Sequence, residues 1–205
     1  MEKSITSAQI DALREVMTIG AGNAATALSS LLKRRVDLSV PSVRLRNISD
    51  FTEIFGGAES AISAVYMRLS EGISGAMMMT FDYETVLSLA DILSGRAPGS
   101  SSSCDEVGIS SIKETMSIIS GSYLIAISKI VNFQVMQSVP EYASDMAGAL
   151  SDVILAEFCR DVDDILVVDT EFSIKGEKLQ TYFLFMPDAE SFKNIMVALG
   201  VDGAI

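Results

Sequence analysis

Apolar residues recur at intervals of three and four near the start of the chain: Ile10, Leu13, Met17, Ala21, Ala24, Leu28 and Leu31. That spacing predicts an amphipathic helix with these side chains on its buried face. Ser4, Thr6 and Ser7 are its candidate caps. The pattern returns with Ile112, Met116, Ile119, Tyr123, Ala126 and Ile130, behind Ser103 or Asp105 as cap. Each helical stretch runs into a short extended segment ending in proline, VDLSVP at 36–41 and VMQSVP at 135–140. Extended runs follow in pairs. SAISAVYMRLS and ISGAMMMTF are joined around Glu71–Gly72, and ILVVDTEFSI and LQTYFLFMP around Lys175–Gly176–Glu177. Both joints read as hairpins. Each half then closes with a helix, Tyr83–Ser94 stopped by Gly95 and Ala189–Leu199 stopped by Gly200. EYASDMAGALSDVILAEF, at 141–158, interrupts the second half and reads as an extra helix.

Each half is thus helix, strand, strand, strand, helix. Two such halves predict an α+β fold with pseudo-two-fold symmetry and a mostly antiparallel, six-stranded sheet. GRAPGSSSSCDE at 95–106 is the linker between a first half of about 1–98 and a second of about 104–205, in one domain.

The halves also match residue by residue. REVMTIGAG at 14–22 aligns with KETMSIISG at 113–121. Sliding 11–41 onto 110–140 without gaps gives ten identities in 31 positions. Ordinary residue frequencies give about two by chance. The chain therefore reads as a duplicated unit of 99 residues rather than a short solenoid repeat.

A second stripe lies away from each apolar face. On the first helix it holds Asp11, Glu15, Thr18, Gly22, Ala25 and Ser29; on the second, Ser110, Glu114, Ser117, Gly121 and Ser128. Residues three apart on a helix are surface neighbours, so each Glu stands beside a hydroxyl. A glutamate on the wet side of a helix is ordinarily just solvated. Here the pair persists in both halves while its neighbours have diverged. The small residues Gly22, Ala25 and Gly121 leave low ground beside each Glu. Glycine inside a helix costs up to about 1 kcal/mol, so its recurrence points to packing or access. Pro41 and Pro140 carry less, because proline sits naturally at strand ends and edges.

Composition narrows the chemistry. The 205 residues carry a formal net charge of −12, which disfavours a nucleic-acid backbone or an anionic membrane as partner. Apolar residues make up 49 %, but no run approaches the roughly 18 residues of a membrane span. With no apolar leader at its start either, the chain is expected to be cytoplasmic. There is no histidine, which removes the usual general base and the commonest metal ligand. Cys104 and Cys159 have no metal-ligand spacing and are expected to be unpaired thiols.

Asp11, Glu15, Thr18 and Pro41, and again Ser110, Glu114, Ser117 and Pro140, resemble the doubled signature of the CheC family of chemotaxis phosphatases. That family is related to CheX and to the flagellar switch proteins FliY and FliM. Every interval of the signature matches in both copies. IGAGNAATALSSLLKRRVDLSVPSV (19–43) and ILSGRAP (92–98) also resemble it, and the likeness covers nearly the whole chain. One position departs in both copies: where the family has Asn, this chain has Thr18 and Ser117.

The resemblance implies a phosphorylated CheY-type response regulator as substrate, with Mg²⁺ held by the regulator and no cofactor of the chain's own. It implies that Glu15 and Glu114 pair with the regulator's lysine. Thr18 and Ser117 then stand where an amide orients the attacking water, and Asp11, Gly22, Ser110 and Gly121 frame the contact. An amide offers donor and acceptor at a fixed separation; a hydroxyl offers one rotating donor. Hydrolysis is therefore expected to be slow. Asn23 is five residues beyond Thr18 on the helix, and is not expected to substitute. The alternative is a binding protein that sequesters the phosphorylated regulator or binds the receptor deamidase CheD. A switch-type structural component like FliM ranks third.

Overall fold

The structure is a computed structural model, and it describes residues 5–158, 164–174 and 176–200. In chain order the elements are α1 (Ser7–Leu32), β1 (Val36–Asn47), a 3₁₀ helix (Ile48–Phe55), β2 (Ala61–Ser70), β3 (Gly75–Asp82) and α2 (Tyr83–Leu93). There follow α3 (Glu106–Val131), β4 (Met136–Gln137), β5 (Glu141–Met146), α4 (Ala147–Phe158), β6 (Asp164–Ile174), β7 (Glu177–Pro187) and α5 (Ala189–Ala198). Of the residues singled out above, Ser4, Cys159 and Lys175 lie outside the described ones.

Local chemistry sets the ends of the two long helices. Thr6 caps α1 in a reciprocal box: its Oγ1 accepts from the Gln9 amide, and the Gln9 side chain accepts from the Thr6 amide. Asp105 caps α3 by accepting from the Gly108 amide at 2.8 Å. Both helices have 26 residues, and both end on a left-handed residue, Lys33 and Asn132. Starts and stops are each 99 positions apart. Leu13, Met17, Ala21, Ala24 and Leu28 are buried as the spacing predicts, but Leu31, in the last turn, is 54 % exposed.

The sheet is antiparallel, in the order β1-β6-β7-β3-β2-β4, with β5 also paired to β2. Exchanging the two halves leaves this order unchanged. The first strand of each half, β1 or β4, lies against the hairpin of the other half. Both faces are covered. Met77 and Met79 join the core under α1, α2, α3 and α5, while Ala76 and Met78 face the 3₁₀ helix and α4. This is why GAMMMTF reads as one apolar run rather than an alternation.

Three details differ from the sequence reading. Among the described residues the sheet has seven strands, because Glu141–Met146, expected to be helical, pairs with β2 and the helix begins only at Ala147. In that segment exposed side chains carry the alternation too weakly to read, and the vacant edge of β2 decides the conformation. The segment VDLSVP does not stop at Pro41. β1 continues to Asn47, with a register shift between Ser39 and Ser42 where the proline interrupts pairing on this edge strand. Its counterpart β4 is only two residues long.

Candidate functional site

Helices α1 and α3 pack side by side on one face of the sheet. The crossing is tight at Gly20. A Cβ placed there would lie 2.5 Å from Tyr123 Cδ1 and 3.0 Å from the Tyr123 Cα. Each helix buries its apolar face, which leaves its polar stripe on the outer side. Asp11, Glu15, Thr18 and Gly22 are exposed on α1; Ser110 and Glu114 are exposed on α3, with Ser117 and Gly121 half-buried. Neither Glu15 nor Glu114 has a hydrogen bond or ion pair among the described residues, so both carboxylates are available to an outside cation. A Cβ at Gly22 would meet nothing within 4 Å. No described residue requires that glycine. Ser29, at the end of the same stripe, is structural: its Oγ accepts from the Val36 amide at 2.9 Å and ties the start of β1 to α1.

The two hydroxyls differ. Thr18 Oγ1 donates to the Arg14 carbonyl of its own helix at 2.8 Å. Its only hydrogen is committed, and it presents lone pairs to the outside. Ser117 is held from another element. Gln137, on β4, donates from Nε2 to both the carbonyl oxygen and the Oγ of Ser117, each at 3.2 Å. The Gln137 Oε1 is buried without a partner. The position matching Gln137 in the first half is Leu38, which has no amide to offer. Sequence reading missed Gln137 because it is 20 residues from Ser117 and meets it only through the packing of β4 beside α3.

The start of α3 is fixed by a clasp through the linker. Asp91, fully buried at the end of α2, accepts from the amides of Ser100 and Ser101 and from the Ser101 hydroxyl. These bonds, led by the Ser101 hydroxyl, hold its carboxyl below the usual range against the opposing effect of burial. Arg96 bridges Asp91 to Asp105, the cap of α3. Cys104 beside it is a free, partly buried thiol whose pKa burial pushes up. Among the described residues no three His, Cys, Asp or Glu side chains are grouped to hold a metal ion, and no helix is long and apolar enough to cross a membrane.

Residues 9–44, which hold the first stripe, match the model of the CheC-like family. The chain is also 31 % identical over 200 residues to the CheY-P phosphatase CheC of Bacillus subtilis, covering 96 % of each. This chain belongs to the CheC-like family. The flagellar motor switch phosphatase FliY of the same organism is 28 % identical over 192 residues, spanning 92 % of this CheC-like chain but 48 % of FliY. The crystal structure of Thermotoga maritima FliY shares the fold, with a TM-score of 0.77 at 24 % identity, covering 97 % of this chain and 99 % of that one.

Proposed function

We propose that this chain binds a phosphorylated CheY-type response regulator and promotes slow hydrolysis of its aspartyl phosphate through two sites, one on each copy of a duplicated unit within a single domain. The observation that carries this reading is the pair of exposed, unpartnered carboxylates, Glu15 and Glu114. Each lies on the outer face of a long helix with a hydroxyl three residues on. Its relative CheC from Bacillus subtilis is a CheY-P phosphatase, and family membership brings that substrate class into consideration here. In the reaction the water oxygen bonds to phosphorus, and the aspartyl oxygen leaves with the bonding pair as a carboxylate. Both protons of the water stay with the released phosphate. Phosphoryl transfer asks little covalent chemistry of the protein and depends on positioning and charge. A helix carrying a Glu and a polar group suits that task, with the required Mg²⁺ belonging to the regulator.

One observation favours a second reading for the first site. Thr18 spends its hydrogen on its own helix, so this site docks through Glu15 with little help to offer a phosphoryl oxygen. In the limit where both sites only dock, the chain is a binding protein for the phosphorylated regulator or for CheD.

The test uses the full chain and a CheY-type regulator phosphorylated by acetyl phosphate. Wild type should speed phosphate loss over the regulator alone. Glu15→Ala combined with Glu114→Ala should abolish this and weaken binding to the beryllofluoride form by about 2–5 kcal/mol, as loss of one partner of an interfacial charge pair does. A double variant that binds and hydrolyses like wild type places the recognition surface elsewhere.

A further inference from the structure

The Gln137 amide can be oriented only one way. The Ser117 carbonyl oxygen is purely an acceptor, so the Gln137 atom 3.2 Å from it must be the NH₂ group. A flipped amide would set two oxygens against each other. The same nitrogen is also 3.2 Å from Ser117 Oγ, so that oxygen must accept. The hydroxyl's single hydrogen finds no acceptor among the described residues and is left for something outside the chain. The arrangement costs stability, since Oε1 is buried without a partner and a buried unpaired polar atom is unfavourable. Leu38, at the matching place in the first half, carries no such cost.

We propose that Gln137 is a positioning residue of the second site. It turns the Ser117 hydroxyl outward as a hydrogen-bond donor to a phosphoryl oxygen of the partner's aspartyl phosphate. The two sites are then polarised oppositely. Ser117 offers a hydrogen to the phosphoryl group, whose oxygens only accept, while Thr18 offers lone pairs and suits only the hydrogens of a water. One amide would supply both functions; here each site retains one of them. This inference rests on the reading of the chain as a protein that engages a phosphorylated regulator.

The test isolates the second site by working in a Glu15→Gln background. Gln137→Glu keeps the shape but presents only oxygen, so Ser117 turns its hydrogen inward. Gln137→Leu installs the side chain of the first half and frees the hydroxyl to bond back to its own helix, as Thr18 does. Decay of the phosphorylated regulator under single-turnover conditions should slow on the order of 10-fold in either variant. This is below the loss typical of a fully enclosed oxyanion donor, because the contact is partly solvated. Ser117→Ala should slow it equally, and adding either Gln137 change to Ser117→Ala should slow it no further. A merely structural role would instead give losses that add. Should wild type bind without hydrolysing, the same cycle is read on affinity for the beryllofluoride form, with the same non-additivity expected. Folding is checked by melting temperature, and Gln137→Leu serves if Gln137→Glu does not fold. The proposal is overturned if Gln137 variants act like wild type, or if their effect persists undiminished without Ser117. A wild-type chain that neither binds nor dephosphorylates the regulator overturns the underlying reading as well.

Discussion

The outer faces of α1 and α3 carry Glu, a hydroxyl and Gly at the same spacing and are not chemically equivalent. On α1, Thr18 closes a bond within its own helix, Gly22 opens onto empty space, and the adjoining strand contributes Leu38. On α3, Ser117 is clasped by a glutamine from a two-residue strand, and Gly121 lies under it, with a Cβ there reaching 3.9 Å from Gln137 Nε2. Besides the exchange of Thr18 for Ser117, the difference arises outside the helices, in the length and side chains of the strand that follows each one. Stripes that match in spacing can therefore diverge in hydrogen-bond polarity according to what packs beside them.

The largest effect that would sharpen this contrast comes from restoring the amide. Thr18→Asn enters an exposed helical position with nothing to displace, and neither fold nor helix propensity should suffer. Correcting the position of a reacting water recovers at most on the order of 100-fold, roughly 2.7 kcal/mol of barrier. Ser117→Asn must share its space with Gln137 and should gain less. Single-turnover decay of phosphorylated regulator for each variant measures this, and the gain should appear in turnover more than in affinity. Equal gains at both sites would break the asymmetry. No gain at either, in folded variants that still bind, would mean that the hydroxyls at 18 and 117 are not what limits this protein.

Two glycines on α1 sharpen the comparison between its inner and outer faces. Gly20→Ala drives a methyl into Tyr123, including its backbone, and should destabilise by about 1–3 kcal/mol as overpacking does. Gly22→Ala meets nothing and should stabilise by up to about 1 kcal/mol through helix propensity. Urea unfolding of the two variants should therefore move in opposite directions. If Gly22→Ala also weakens binding of the regulator while stabilising the chain, the open ground beside Glu15 is a contact surface.

The smallest effect concerns the caps. α3 is capped by a carboxylate and α1 by a hydroxyl. Arg96, and after it the Gly108 amide, hold the Asp105 carboxyl below its ordinary value of 3.8. A depressed folded-state pKa gives stabilisation that is complete above the ordinary value and is lost as pH falls through the lower, folded one. Protection of the first-turn amides of α3 against exchange, relative to the unstructured rate at the same pH, should thus fall below about pH 3.8, while the first turn of α1 responds less. Asp105→Ser should remove the difference. Equal acid response at both helix starts would show that the caps do not set it.

Much of this was legible in the chain itself. Cap chemistry narrowed the caps to Ser4, Thr6 or Ser7 and to Ser103 or Asp105, of which the structure uses Thr6 and Asp105. The two helices, the two hairpins and the closing helices all follow from periodicity, which acts within a few residues. So does the exposure of Glu15 and Glu114, since a 3.6-residue period fixes which side chains oppose the buried face. β5 was not legible, because Glu141–Met146 takes its conformation from the free edge of β2, some 80 residues away in sequence.

The sequence by itself determined that this protein is an α+β chain with two Glu-hydroxyl pairs on the outer faces of its long helices, because helix periodicity is a local property. Only the tertiary structure decided which way the Ser117 hydroxyl hydrogen points. Thr18 meets the Arg14 carbonyl of its own turn, a local bond, whereas Ser117 meets a glutamine brought up by a strand that pairs with the opposite half of the molecule. Hydrogen-bond polarity is settled over about 3 Å, and no pattern along the chain encodes which partner will arrive at that distance.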